Sequence, residues 1–159
     1  MNLFAPDPCP VVSAQSLADR HVCKMAVEVA QILSTVLHAH GLPAPYKPTH
    51  AHHPCTVWAG SCAAAFGWTV AHGLALCDEY EYRYGRVHGS RAAIEAAVKA
   101  GLALPEGAAP PFALAMPDEH RGPDPHAAYR SYLAAKYAAW GGMARWTRRD
   151  RPGWAAPSR

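Results

Sequence analysis

The chain has 159 residues, of which 50% are hydrophobic and only 17% charged, with a formal net charge of +3. That length suits one domain with a single core, and the apolar share excludes a chain disordered throughout. Alanine is abundant, β-branched runs are scarce, and five cysteines (Cys9, Cys23, Cys55, Cys62, Cys77) show no CxxC spacing. This combination points to helices and to reduced thiols in a cytoplasmic setting.

Leu3 and Phe4 are followed by Pro6, Pro8 and Pro10, so residues 2–12 read as extended. The first ten residues have no basic start and are broken by acid and proline, so no signal peptide is expected. Ser13 or Ser16 can cap a turn leading into the stretch from His21 to His40, which the rest of the chain is organised around. His21, Lys24, Glu28, Gln31 and Thr35 fall 3, 4, 3 and 4 residues apart and form one polar stripe on a helix. Val22, Met25, Val29, Ile32, Leu33, Val36 and Leu37 fill most of the remaining circumference, so this helix should be central and largely buried. Gly41 supplies the stop.

Residues 42–54 form a loop with four prolines. A second helical stretch is expected from about Thr56 to Tyr84, closed by Gly85 and weakened or split by Gly67 and Gly73. Ser90 opens a third helix running to about Ala100, and Phe112 to Met116 adds one more turn. Asp124 and Pro125 are an N-cap and N1 pair for a last helix through about Trp140. Residues 141–159 are then an Arg/Trp-rich tail. No apolar run reaches the ~20 residues of a membrane span, and no internal repeat or sheet pattern is present. The reading is a single all-α domain over residues 1–159.

Lys24 and Glu28, an amine and a carboxylate one turn apart beside the His21 imidazole, make a plausible catalytic set. A structural Lys–Glu pair is the plainer alternative. Lys47, Thr49, His50 and His53 form a loop of donors suited to phosphate or a base edge. His50, His52, His53 and Cys55 are too closely spaced to converge on one ion unaided, so no metal is assigned, and no cofactor motif is present. Tyr80, Arg83, Tyr84 and His88 gather at a helix end beside Glu79, and Tyr129, Arg130, Tyr132 and Lys136 make a further aromatic–basic group. Trp58 adds an aromatic platform. Arg145, Arg148, Arg149, Arg151 and Arg159 lie in the tail against one acid, Asp150. Aromatics interleaved with cations favour a nucleic-acid substrate over a small metabolite.

The segments DRHVCKMAVEVAQILST (Asp19 to Thr35), YKPTHAHHPCTVW (Tyr46 to Trp58), LALCDEYEYRYGRVH (Leu74 to His88), AMPDE (Ala115 to Glu119), DPHAAYRSYL (Asp124 to Leu133) and RRDRPGW (Arg148 to Trp154) resemble a group of small phage-type proteins. That group is labelled pyrimidine-dimer DNA glycosylase, endonuclease V-like. The resemblance implies a helical enzyme that flips a base and attacks sugar C1′ with its N-terminal α-amine, helped by a glutamate. Here Met1 precedes Asn2, a poor residue for removal of the initiator methionine. Lys24, set in an apolar wall that would lower its pKa, is therefore the expected substitute nucleophile. Glu28, or Glu79 from the second long helix, would assist. A looser resemblance is to helical enzymes of phage DNA base hypermodification, which would make this a transferase on an activated hydroxymethyl-pyrimidine.

Three classes thus compete. The first is a DNA-acting enzyme on a flipped pyrimidine, with excision ahead of modification. The second is a non-catalytic DNA-binding protein, and the third a metal-dependent hydrolase built on His50, His53, His21 and His88. The expected partner is DNA rather than a membrane, in a bacterial or phage-infected host cytosol.

Overall fold

The computed structural model describes residues 1–155; Arg159, counted above in the basic tail, lies outside them. Six helices build an all-helical domain: α1 (Pro10–Ser16), α2 (Asp19–Ala39), α3 (Pro54–Ala59), α4 (Ala63–Tyr84), α5 (Arg91–Lys99) and α6 (Pro125–Trp140). Short 3-10 turns follow at Asp118–His120, Gly141–Met143 and Gly153–Ala155. No strand occurs among the described residues.

α2 is the hub. It packs against α3, α4 and α5, and Val22, Val29, Ile32 and Leu33 have no exposed surface. By length and composition α2 could also cross a membrane, which the sequence reading overlooked, and 67% of that apolar window is buried inside the domain. Gly73 permits the tightest approach in the bundle. A Cβ there would lie 2.6 Å from Val29 Cγ1 and 3.0 Å from Ile94 Cδ1, so α2, α4 and α5 meet over a missing side chain. The break in the long apolar stretch comes instead at Gly60, Ser61 and Cys62, and both Gly67 and Gly73 stay helical.

Two local expectations need correction. α1 starts at Pro10 rather than after residue 12, because proline at N1 costs no backbone bond. Ser13 lies inside it, with its hydroxyl donating to the Asp7 carbonyl at 2.8 Å. Residues 112–116 form no helical turn; the turn falls at Asp118–His120. The Asp124 cap holds, accepting from the His126 and Ala127 amides at 2.9 and 3.2 Å.

The N-terminal segment is the unexpected element. Leu3, Phe4 and Ala5 are buried, and the segment is wedged between α2 and α6. The Phe4 ring lies 4.7 Å from His21 on α2 and 6.1 Å from Tyr129 and Tyr132 on α6. A segment outside helix and sheet must find other partners for its carbonyls. Here side chains supply them. His126 bonds Ala5 O at 2.8 Å, Arg130 donates to Pro6 O at 2.8 Å, Trp68 donates to Pro8 O at 2.7 Å, and His72 bonds Pro10 O at 3.0 Å.

Candidate active site

The wedge delivers residue 2 to the polar stripe of α2. The backbone nitrogen of Asn2 donates to Glu28 Oε2 at 2.6 Å, while Lys24 Nζ lies 3.1 Å from Glu28 Oε1. Around them Met1, Asn2, Phe4, His21, Met25, Tyr132 and Lys136 complete a cleft of about 160 Å³. A neighbouring hollow shares His21, Lys24 and Lys136 with the cleft and adds Arg20 and Trp140, so the two adjoin as the walls of a groove.

Asn2 is held from four sides. Its Nδ2 donates to the Ala115 carbonyl at 2.7 Å, and its Oδ1 accepts from the Leu3 amide at 2.8 Å. The Cys55 thiol lies 3.7 Å and the Tyr129 hydroxyl 3.4 Å from the same Oδ1. Burial pushes the Cys55 thiol up to about 11 and raises Tyr129 as well, so both stay protonated and able to donate.

His21 is buried, with Nδ1 2.9 Å from the Tyr137 hydroxyl. Burial first, then the positive charges of Lys136, Lys24 and Arg20, lowers its pKa to about 3, so it is neutral near pH 7. Among the described residues Arg20 and Lys136 have no carboxylate partner. Arg20 instead lies over Trp140 at 5.2 Å, and Lys136 over Tyr132 at 5.3 Å. The groove therefore offers two cations backed by aromatic faces beside a carboxylate with two nitrogens on it.

Of the residues picked out from the sequence, the structure brings Lys24, Glu28, His21 and Lys136 together. Lys24 does not lie in an apolar wall: its side chain is 70% exposed. Glu79 is elsewhere. It is buried between Arg83, whose Nε donates at 2.7 Å, and Arg149, which donates at 2.9 Å to each carboxylate oxygen. Arg83 is fully buried too, bonding Asp19 at 2.8 Å and the carbonyls of Leu17 and Gln15, so it cannot reach a phosphate. Trp58 is 5% exposed, stacked on Phe112 at 4.2 Å with its indole donating to Pro110 O, and offers no face to a base. Tyr129 is buried against Asn2, and Arg130 is engaged with Pro6 O. Tyr80, Tyr84 and His88 pack on one another at the end of α4, and His88 bonds the Cys23 carbonyl.

The donor loop is partly tied down. The Thr35 hydroxyl both donates to and accepts from the backbone of Thr49 at 3.0 Å. The Thr49 hydroxyl meets His50 Nδ1 at 2.6 Å, and His50 takes a positive φ of 52°. Lys47 is exposed and lines a separate hollow with Val27 and Gln31 of α2. His53 caps α3 by accepting from the Cys55 amide. Burial, then the N-terminal amine and His50, depresses its pKa, and only Glu28 opposes them. No three metal-type side chains converge among the described residues. Residues 146–148 of the tail are tied to the body: Trp146 donates to Ser16 O at 3.0 Å, Thr147 bonds Asp19, and Arg148 donates to Tyr82 O.

Sequence reasoning missed Asn2, Phe4 and Arg20, and did not place Tyr132 or Trp140, both read as aromatics beside cations, at the cleft. The geometry is that of an amine–carboxylate site at the mouth of a basic, aromatic groove. Residues 1–91, more than half of the chain, match the family described as pyrimidine dimer DNA glycosylase. The chain belongs to that family. Glu28, Lys24, His21 and the whole N-terminal segment fall within the matched part. No curated protein and no solved structure matches the chain.

Proposed function

We propose that the protein excises a pyrimidine dimer from duplex DNA by imine chemistry, with Glu28 as the carboxylate and the Asn2 nitrogen as the nucleophile once Met1 is removed. The observation that carries this reading is the 2.6 Å bond between Asn2 N and Glu28, made by a residue whose side-chain amide is anchored at both ends. Holding the reacting nitrogen in place before substrate arrives lowers the entropy cost of attack. As an amide that nitrogen is inert, so Met1 removal is part of the proposal.

The amine would attack C1′, the C1′–N bond to the pyrimidine would break, and the base would take the electron pair and a proton from water while staying tethered to its neighbour through the cyclobutane ring. Glu28 would accept the proton shed by the attacking nitrogen and return it to the ring oxygen as the sugar opens to an iminium. Neutral His21 would add no charge to a groove that must hold phosphates, and Lys136 and Arg20 would carry that electrostatic load. Tyr132 and Trp140 take over the stacking role first expected of Tyr80, Tyr84 and Trp58.

A second reading keeps Lys24 as the nucleophile, favoured by its 3.1 Å approach to Glu28 and by its already being a primary amine. Its exposure counts against it, because burial is what would lower its pKa. The test is incubation of the purified protein with duplex DNA carrying one cyclobutane pyrimidine dimer. Glycosidic cleavage at the dimer, read as formation of an abasic sugar and absent on undamaged duplex, is the expected result. Binding without cleavage would favour the non-catalytic reading, and cleavage of neither duplex would remove the excision assignment.

A further inference from the structure

We infer that the Tyr129 hydroxyl on α6 is a positioning residue for excision, acting through the side chain of Asn2. This rests on the Glu28-centred reading above, but holds for either amine, because the Asn2 nitrogen is also what orients Glu28.

A terminal residue normally frays, and nothing in backbone geometry fixes residue 2 at 2.6 Å from a carboxylate. The fixing comes from the side chain. The Asn2 amide uses both ends: Nδ2 goes to Ala115 O in the connection before α6, and Oδ1 goes to the Leu3 amide, Cys55 of α3 and Tyr129 of α6. Tyr129 has no exposed surface, and its hydroxyl gives its one proton to Ala113 O at 2.6 Å, leaving Asn2 Oδ1 a secondary contact at 3.4 Å. It therefore fixes the 113–115 connection, whose Ala115 carbonyl holds Asn2 Nδ2 at 2.7 Å. Removing that oxygen leaves the ring packed on Phe4 and loosens the connection that carries Ala115 O. The nitrogen then samples positions away from Glu28, and misplacement by about 1 Å costs on the order of 100-fold in rate.

The same geometry explains why residue 2 is asparagine. Serine or threonine would favour Met1 removal but has no Nδ2 to place on Ala115 O. Asn2→Ser should thus raise the trimmed fraction seen by intact mass while lowering the rate per trimmed molecule.

The experiment measures single-turnover excision of the dimer duplex at saturating enzyme, together with half-saturation. For Tyr129→Phe the maximal rate should fall about 10- to 100-fold with half-saturation unchanged. Leu133→Ala, which loosens the same helix core without touching Asn2, should keep the rate of the unaltered protein at a temperature where all are folded. An unchanged rate in Tyr129→Phe, a loss confined to half-saturation, or an equal loss in Leu133→Ala would overturn the inference while leaving the glycosylase reading intact. No excision by the unaltered protein would overturn both.

Discussion

The backbone nitrogen of Asn2 and the carboxylate of Glu28 are joined by a 2.6 Å hydrogen bond across 26 residues of sequence. Glu28 is 7% exposed, and its other oxygen carries Lys24. Replacing the carboxylate with an amide of the same shape keeps the packing and removes the base. Glu28→Gln should lower the excision rate by about 100- to 10,000-fold with dimer-duplex affinity retained, as read by single-turnover kinetics beside equilibrium binding.

Affinity for DNA should follow the groove. Lys136→Ala and Arg20→Ala, each removing a cation without a carboxylate partner among the described residues, should each reduce the slope of log affinity against log salt by about 0.9. An unaltered slope in both would place the DNA on another face.

Arg149 behaves differently from its exposed neighbours Arg145, Arg148 and Arg151. It is half of the cation pair on buried Glu79, and its guanidinium lies 4.4 Å from the centre of the Tyr82 ring. Arg83→Ala, leaving Glu79 and Asp19 short of their buried partner, should cost about 3–5 kcal/mol of folding stability in denaturant titration. Arg149→Ala should cost less, because its side chain is about one-third exposed and partly screened.

Gly73 and Gly67 make a paired test of packing on α4. Gly73→Ala drives a Cβ to 2.6 Å from Val29 and should destabilise by about 1–3 kcal/mol. Gly67→Ala meets nothing within 4 Å and should stabilise by about 0.5–1 kcal/mol. Thermal unfolding of the two variants should move in opposite directions.

Acid should weaken the fold through two buried histidines. Burial lowers His21 to about 3 and His72 to about 4, and His72 Nε2 has no partner among the described residues. Both are depressed below the unfolded value of 6.5, so the unfolded chain binds more protons between the two values. Stability is thus full above about pH 6.5 and is lost as pH falls toward 4 and then 3. His72→Phe should flatten the fall in urea midpoint between pH 7 and pH 5.

What the sequence disclosed was periodic or local. α2 shows as a helix with one polar stripe, and the structure makes Val29 and Ile32 its buried side; Asp124–Pro125 marks the start of α6, and Gly85, at φ 67°, ends α4. The stripe also named Glu28, Lys24 and His21, because polar groups at helical spacing on an apolar helix need an explanation. The partner of Glu28 was not legible. Asn2 reaches it by threading an extended segment between α2 and α6, which has no period to read. Glu79 and Arg83 show the converse: an i,i+4 pair has the same spacing whether it lies in solvent or, as here, in the core.

The most direct measurement is borohydride trapping on dimer-containing duplex, followed by mass mapping of the modified residue. The account predicts a covalent adduct on the α-amine of Asn2 in molecules that have lost Met1, abolished in Glu28→Gln and retained in Lys24→Ala. An adduct on Lys24, lost in Lys24→Ala, would transfer the nucleophile to the second reading. Excision with no trappable adduct would contradict amine chemistry at this site altogether.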